Sequence, residues 1–451
     1  MSEKLPDHLL NHLLEESSKV GPSVVGWRRD FHKHAEVAWT ELRNGSLIVR
    51  RLLEIGKWDV KYGSELYDKS LMMGMPSHEV MEQHYKRALA QGADPEIVER
   101  MRGGYTGALA TLVTGDGNGP TICFRFDIDA NDLIEAEDPV HRPFSEGFAS
   151  VNKGAMHGCG HDCHAAIGLG LATVLAESMD LLPSGKVKLI FQTAEEGGRG
   201  GKPMAATGMA DDADFFASIH VGVDMPTGEI ACGVTDLICT TKMDATFEGV
   251  SAHAGGSPDS GKNALLAACN AAINLYAITR HSGGATRVNV GVLQAGVGRN
   301  VIAPNAFMKF EVRGSTPEIN EFMVDRAMKV VEGAAAMNDV KVGVATAGEC
   351  IAVDVDPEMI ALVREATGLV PAVTSVRDTV SMTGGAEDCT FFMKRVQANG
   401  GKVTIIILGT SGKSVPHNSY FDVDETALPI AVQLLSAVTV KALSRDAGCL
   451  V

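Results

Sequence analysis

Cys159 and His161 stand one glycine apart in the segment His157-Gly-Cys-Gly-His-Asp162, and Gln192-Thr-Ala-Glu-Glu-Gly197 follows downstream. Thiolate, imidazole and carboxylate are the ligand types that a catalytic transition metal takes. The cysteine loop is ambiguous by itself: His157 and His164 are further candidates, and Asp162 and His164 could simply cap or support the next helix. The adjacent carboxylates Glu195 and Glu196 add weight. Such a pair ordinarily sits in a solvated acidic turn, because like charges repel. Beside a cation the two can divide the work, one binding the ion while the other takes a proton from an attacking water.

His220 ends the apolar run FFASIHVG, and His417 lies in the loop Pro416-His-Asn-Ser-Tyr. With Cys159, His161 and Glu196 they make five candidate ligands, enough for two divalent ions sharing a bridge. Asp129, in FRFDIDAND, is expected to stand behind them, since carboxylates often orient ligating histidines. Further along, His253 in Val250-Ser-Ala-His-Ala-Gly255 and the Arg299-Asn300 pair in Gly298-Arg-Asn-Val301 offer donors suited to an oxyanion or a substrate carboxylate. Gly-rich turns also carry polar residues for purely structural reasons.

The elements that must hold these residues follow from periodicity. Residues 7–58 read as helix. Residues 105–113 and 120–127 read as strands around a Gly-rich turn, 164–179 as a buried helix, and the stretch after Ser184 as a strand ending at the two glutamates. Alternating helices and apolar strands imply an α/β sheet, with its ligand sites beyond the strand ends. Near residue 238 the pattern changes to strand–helix–strand–strand–helix–strand, which predicts a small inserted α+β domain of ferredoxin-like order over 238–349. The larger domain is thus expected in two parts, 1–237 and 350–451. Residues 64–104 read as a helical insertion, with Ser77 capping one helix and Asp94-Pro95 starting another.

A chain of 451 residues is too long for one ordinary core, so two domains are expected from length alone. The formal charge of −16 argues against a nucleic-acid or anionic-membrane partner. Nine scattered cysteines, Cys449 the last, suggest reduced thiols rather than a disulfide framework. The N-terminal residues lack a leader pattern, and no apolar run approaches the roughly 20 residues of a membrane helix, so the cytoplasm is the expected location.

These motifs, taken in order, resemble the aminoacylase/carboxypeptidase-type di-metal peptidases, in the branch of amidohydrolases that carries a cysteine ligand. WRRDFHKHAE, FRFDIDA, MHGCGHDCHAAIGLGLA, QTAEEGGRG, SAHAG, GRNVIAP, GGAEDCTFFM and HNSYFD spread the likeness over nearly the whole chain. The resemblance implies a mixed-sheet catalytic domain with a lid and dimerisation domain. It also implies Cys159, His161, Glu196, His220 and His417 as metal ligands, Glu195 as general base, and His253 and Asn300 as stabilisers of the intermediate, often in a partner subunit's site. Two divalent ions are implied. A bridging cysteine goes with manganese in several relatives, and zinc, which also takes thiolate and imidazole, is the alternative.

Within that branch, the 64–104 insertion and RVNVGVLQAGVGRNV are similar to the p-aminobenzoyl-glutamate hydrolases. That group cleaves the amide joining p-aminobenzoate to glutamate, a folate-breakdown product, and works with a homologous B-type subunit. Arg287, Arg299 and Arg313 are then the candidates to hold the substrate carboxylates, and a homodimer or a heterodimer is implied. One departure is Asn131-Asp132 after FRFDIDA, where relatives usually carry Leu and an apolar or acidic residue, which puts pocket shape in question. Two other readings stand beside this one: a hydrolase of other N-acyl amino acids or dipeptides, and a non-catalytic subunit that keeps the fold, although no ligand or base is missing.

Overall fold

A computed structural model describes residues 7–222 and 224–445, so Cys449 lies outside the described residues. The N-terminal stretch is two helices, Asp7–Lys33 and Leu42–Ile55, rather than one. The break between them is a built feature. Trp39 is fully buried with φ 69°, and its indole donates to the carbonyl of Met73 at 2.8 Å. Glu36 then serves the second helix, accepting the N–H of Arg43 at 3.2 Å and of Asn44 at 2.9 Å. Those are N–H groups that a helix start leaves without intrahelical partners.

The main sheet has eight strands, in the order Asp59–Tyr62, Ala108–Thr114, Gly185–Gln192, Thr121–Asp127, Phe215–Gly222, Lys402–Gly409, Glu229–Ala231 and Ser375–Arg377. Its four central members run parallel, from Gly185–Gln192 to Lys402–Gly409, and antiparallel strands flank them. All seven residues of Thr121–Asp127 are buried, as expected for a sheet covered on both faces. Parallel register brings Asp127 opposite Gln192 and His220 opposite Ile407. The residues wanted for chemistry therefore gather at one end of the sheet.

Helix His161–Glu177 crosses the sheet and packs against helices Asp7–Lys33 and Ala427–Leu443. Gly168 lets it come close: a Cβ there would sit 2.8 Å from both Phe126 and Phe191. At its start, Gly160 has φ 91°, and a Cβ would lie 2.3 Å from Val221. Only glycine fits that left-handed position, which sets the Cys159–His161 turn against the strand bearing His220.

Strands Cys239–Glu248, Thr286–Ala295, Asn305–Gly314 and Lys341–Cys350 form a second, antiparallel sheet. The last strand lies at one edge beside the first, followed by the third and then the second, which is the ferredoxin-like order that the pattern predicts. Helices Ala264–Tyr276 and Pro317–Met337 cover one face, over Met243, Ala245, Phe247, Met308, Phe310 and Val312. Alternation sends Lys242, Asp244, Lys309, Glu311 and Arg313 to the other face. This sheet is tied to the glutamate loop by the N–H of Glu349, which donates to the carbonyl of Gly198 at 2.7 Å.

The 64–104 insertion forms as expected. Ser77 caps helix His78–Ala90 through the N–H of Val80, and Asp94 caps Pro95–Met101 through the N–H groups of Glu96 and Ile97. Among the described residues, no helix is long and apolar enough to cross a membrane.

Candidate metal centre

The candidate ligands converge. Cys159, His161 and His220 bring their ligand atoms within 4.8 Å of one another, as do Cys159, Glu196 and His417. The two trios share the sulfur of Cys159. It lies 3.5 Å from Nε2 of His220, and Nε2 of His417 is 3.4 Å from Oε1 of Glu196. A third trio, His161 with Glu195 and Glu196, joins the two halves on the other side.

Two of the three histidines, His220 and His161, are oriented by their other nitrogen. Nδ1 of His220 donates to the carbonyl of Val221 at 2.8 Å, which leaves the Nε2 lone pair free. Nδ1 of His161 faces Oδ1 of Asp129 at 3.3 Å, while its Nε2 is buried with no hydrogen-bond partner. Oε1 of Glu196 is likewise buried without a hydrogen bond, its nearest basic group being Nε2 of His417 at 3.4 Å. Buried polar atoms rarely go unpaired. These aim into one place, and the donor set suits a divalent ion of the manganese or zinc type.

Electrostatics agree with that fit. Burial pushes the Cys159 thiol well above its ordinary range, so a thiolate here needs a cation's charge beside it. Burial also depresses His220, to about 3, with the charge of His164 reinforcing it. Glu196, although burial works the other way, is held down to about 2 by His417 and His161. Glu195 is raised well above the carboxylate range by burial and by the charges of Glu387, Asp388 and Glu196. The two adjacent carboxylates are thus pushed in opposite directions, the separation expected of a ligand and a base.

Asp129 organises this loop. Its two oxygens accept the N–H of Glu195 at 3.0 Å and of Glu196 at 2.9 Å. Glu41 accepts the N–H of Ala194 at 2.8 Å, and Ala194 itself is held at φ 52°. His417 is also left-handed, at φ 63°, with its N–H on the carbonyl of Gly158 at 2.7 Å. Strained backbone of this kind persists where surrounding structure holds it, commonly at functional sites.

Other candidates fall elsewhere. His164 is engaged at both nitrogens, with Asp127 at 2.5 Å and the N–H of Val221 at 3.0 Å, so it supports the site. His157 is buried with neither ring nitrogen partnered. His253 and Asn300 sit side by side on exposed loops of the smaller sheet: the N–H of Ala254 donates to the carbonyl of Asn300, and His253 pairs with Val301. Neither lines the cavity against Glu196 and His417.

Arg287 and Arg313 are direct cross-strand neighbours, and Arg313 is spent on Glu311 at 2.9 Å and the carbonyl of Gly384 at 2.7 Å. Arg299 lies in an exposed turn beside a different cavity. Asn131 turns out to touch the metal loop itself, accepting the N–H of Gly158 at 3.0 Å.

Several participants escape sequence reading. Glu387, from the GGAEDC motif, lies 3.8 Å from Nε2 of His220, and Arg125 bridges Asp127, Glu387 and Asp388 from below. Glu41 and Arg199 look like ordinary surface charges in the sequence. Only the motif around Glu387 carries a signal.

The 415 residues aligned with the indole-3-acetyl-aspartic acid hydrolase of Enterobacter agglomerans are 46% identical, covering 92% of this chain and 94% of that protein. Similarity to the A-type chain of p-aminobenzoyl-glutamate hydrolase from Escherichia coli (strain K12) is 43% over 419 residues, or 93% and 95% of the two chains. The crystal structure of the aminobenzoyl-glutamate utilization protein from Klebsiella pneumoniae superposes with a TM-score of 0.83 at 40% identity, over 95% of this chain and 98% of that one. The model of peptidase family M20/M25/M40 matches residues 123–441, the stretch that holds both ligand trios and Glu195. This chain therefore belongs to peptidase family M20/M25/M40 and is a metal-dependent hydrolase of amide bonds.

Proposed function

We propose that the chain cleaves the amide joining an aromatic acyl group to an acidic amino acid, with p-aminobenzoyl-glutamate the foremost substrate. The observation that carries the reaction is the pair of ligand trios sharing Cys159, with Glu195 beside them. The substrate reading draws on the relatives at 43% and 46% identity, whose names pair different acyl groups with glutamate and aspartate. The higher of the two identities makes indole-3-acetyl-aspartate the second substrate to test, ahead of other N-acyl amino acids or dipeptides.

In this reading Cys159, His161 and His220 would hold one ion and Cys159, Glu196 and His417 the other, with manganese preferred and zinc the alternative. Ions bound there would supply Lewis-acid chemistry, polarisation of the scissile carbonyl and a lowered pKa for an attacking water. Glu195 takes the proton of that water and returns it to the leaving amine. His253 and Asn300, exposed on the smaller domain over 238–349, donate to the oxyanion in the site of a partner subunit, either a second copy or a homologous B-type chain. The free cysteines suit the reducing cytoplasm.

The test is turnover of p-aminobenzoyl-glutamate, indole-3-acetyl-aspartate and a panel of N-acyl amino acids by manganese- or zinc-loaded protein, with and without a B-type partner. Failure on every substrate, with metal bound, overturns the reading.

A further inference from the structure

A cavity of ≈ 490 Å³ lies between the open face of the smaller sheet and the catalytic loops, lined by Arg199, Lys242, Asn289, Lys309 and Glu311 among others. Arg199 also lines the neighbouring cavity that holds Glu196 and His417, so the two spaces meet at its guanidinium. The two cations are held differently. Nε of Arg199 is buried without a hydrogen-bond partner, and the side chain is packed against Gly74 of the insertion and Gly197 of the glutamate loop. Lys242 extends from the smaller sheet and lines the same cavity as Arg199.

Among the described residues neither cation forms an ion pair, and Glu311, directly across from Lys242, is turned to Arg313 at 2.9 Å. Asp244 stands opposite Lys309, and Asp132 lines both cavities as the opposing charge.

A buried guanidinium nitrogen without a partner beside a catalytic centre is costly unless a ligand completes it. Guanidinium recognises carboxylate through paired hydrogen bonds, and ammonium acts as a point charge. We infer that Arg199 and Lys242 form the subsite for a dicarboxylic amino acid, Arg199 taking the α-carboxylate next to the scissile amide and Lys242 the side-chain carboxylate. This rests on the amidohydrolase reading and names the half of the substrate that the site selects. The insertion then has a role in binding, since Gly74 and Met75 close the cavity's edge over Arg199.

The experiment compares kcat/KM for p-aminobenzoyl-glutamate with that for p-aminobenzoyl-glutamine, its neutral isostere, using metal-loaded protein. The wild type should prefer the acid at least tenfold. Lys242→Gln should shrink that preference at least fivefold, chiefly through KM, and Lys242→Glu should shrink it further. Asp132→Asn should enlarge it. Arg199→Gln should cost both substrates at least tenfold.

Melting midpoints within a few degrees of wild type exclude simple unfolding of a variant. A wild-type ratio near one, or a ratio unmoved by both Lys242 variants, overturns the subsite while leaving the hydrolase reading intact. Should neither compound be cleaved, p-aminobenzoyl-glutamate falls as the substrate and the subsite is judged by equilibrium binding of the same pair. Equal affinities would then overturn it as well.

Discussion

Oδ1 of Asp129 accepts the backbone N–H of Glu195 at 3.0 Å, so the proposed base is positioned from behind by a carboxylate just past the end of the neighbouring strand Thr121–Asp127. The second oxygen holds Glu196 at 2.9 Å, and the same carboxylate faces His161. A single side chain therefore sets the base, one carboxylate ligand and one imidazole relative to each other.

Replacing Asp129 with asparagine tests that arrangement. The amide can keep one acceptor, but its NH₂ would oppose a backbone N–H in a buried place, at a cost of about 1–3 kcal/mol. Metal affinity should fall by about ten- to a hundredfold, as it does when a group orienting a ligand is lost. Titration with manganese followed by calorimetry reads both effects.

Glu195→Gln keeps the loop's backbone bonds and removes the proton acceptor. Bound metal and melting temperature should stay at wild-type values, while kcat drops at least about a hundredfold. Full turnover by this variant would remove Glu195 from the mechanism.

Cys159→Ala strips the shared ligand from the two trios that contain it. Elemental analysis should find well under one ion per chain after dialysis, against two in the wild type. Loss of a single ion, with the other retained, would mean that the sulfur is not shared.

His157 gives a pH signature. Burial depresses its pKa to about 3, below the 6.5 of an exposed imidazole. The folded state thus binds its proton less readily than the unfolded chain. The resulting stability is fully present above pH 6.5 and is lost as pH falls from there towards 3. At pH 5 the loss is about 2 kcal/mol, from 1.5 units at about 1.36 kcal/mol each. His157→Phe, which cannot titrate, should show a smaller drop in melting temperature between pH 7 and pH 5 than the wild type.

That the candidate ligands would come together was legible because most stand near the ends of parallel strands or at the start of an apolar helix, and parallel strands end together. The smaller sheet and the caps at Ser77 and Asp94 were legible for similar local reasons. The turn at residues 34–41 was not, because it depends on Glu36 and Trp39 finding partners far along the chain. Arg199, proposed here to bind a carboxylate, went unnoticed in the sequence for a related reason. Arg287, Arg299 and Arg313 stood in recognisable strands and loops, whereas Arg199 acquires its importance from packing against Gly74, 125 positions earlier in the chain.

The shared sulfur has a consequence for how such an enzyme fails. A centre with separate ligands for each ion loses function by degrees as side chains are damaged. Here both trios draw on Cys159, a partly exposed thiol. Conversion of that one atom to a sulfinic acid would dismantle both positions in a single, irreversible event. Under oxidative stress, activity should therefore decay as a count of intact molecules, each fully competent or fully dead.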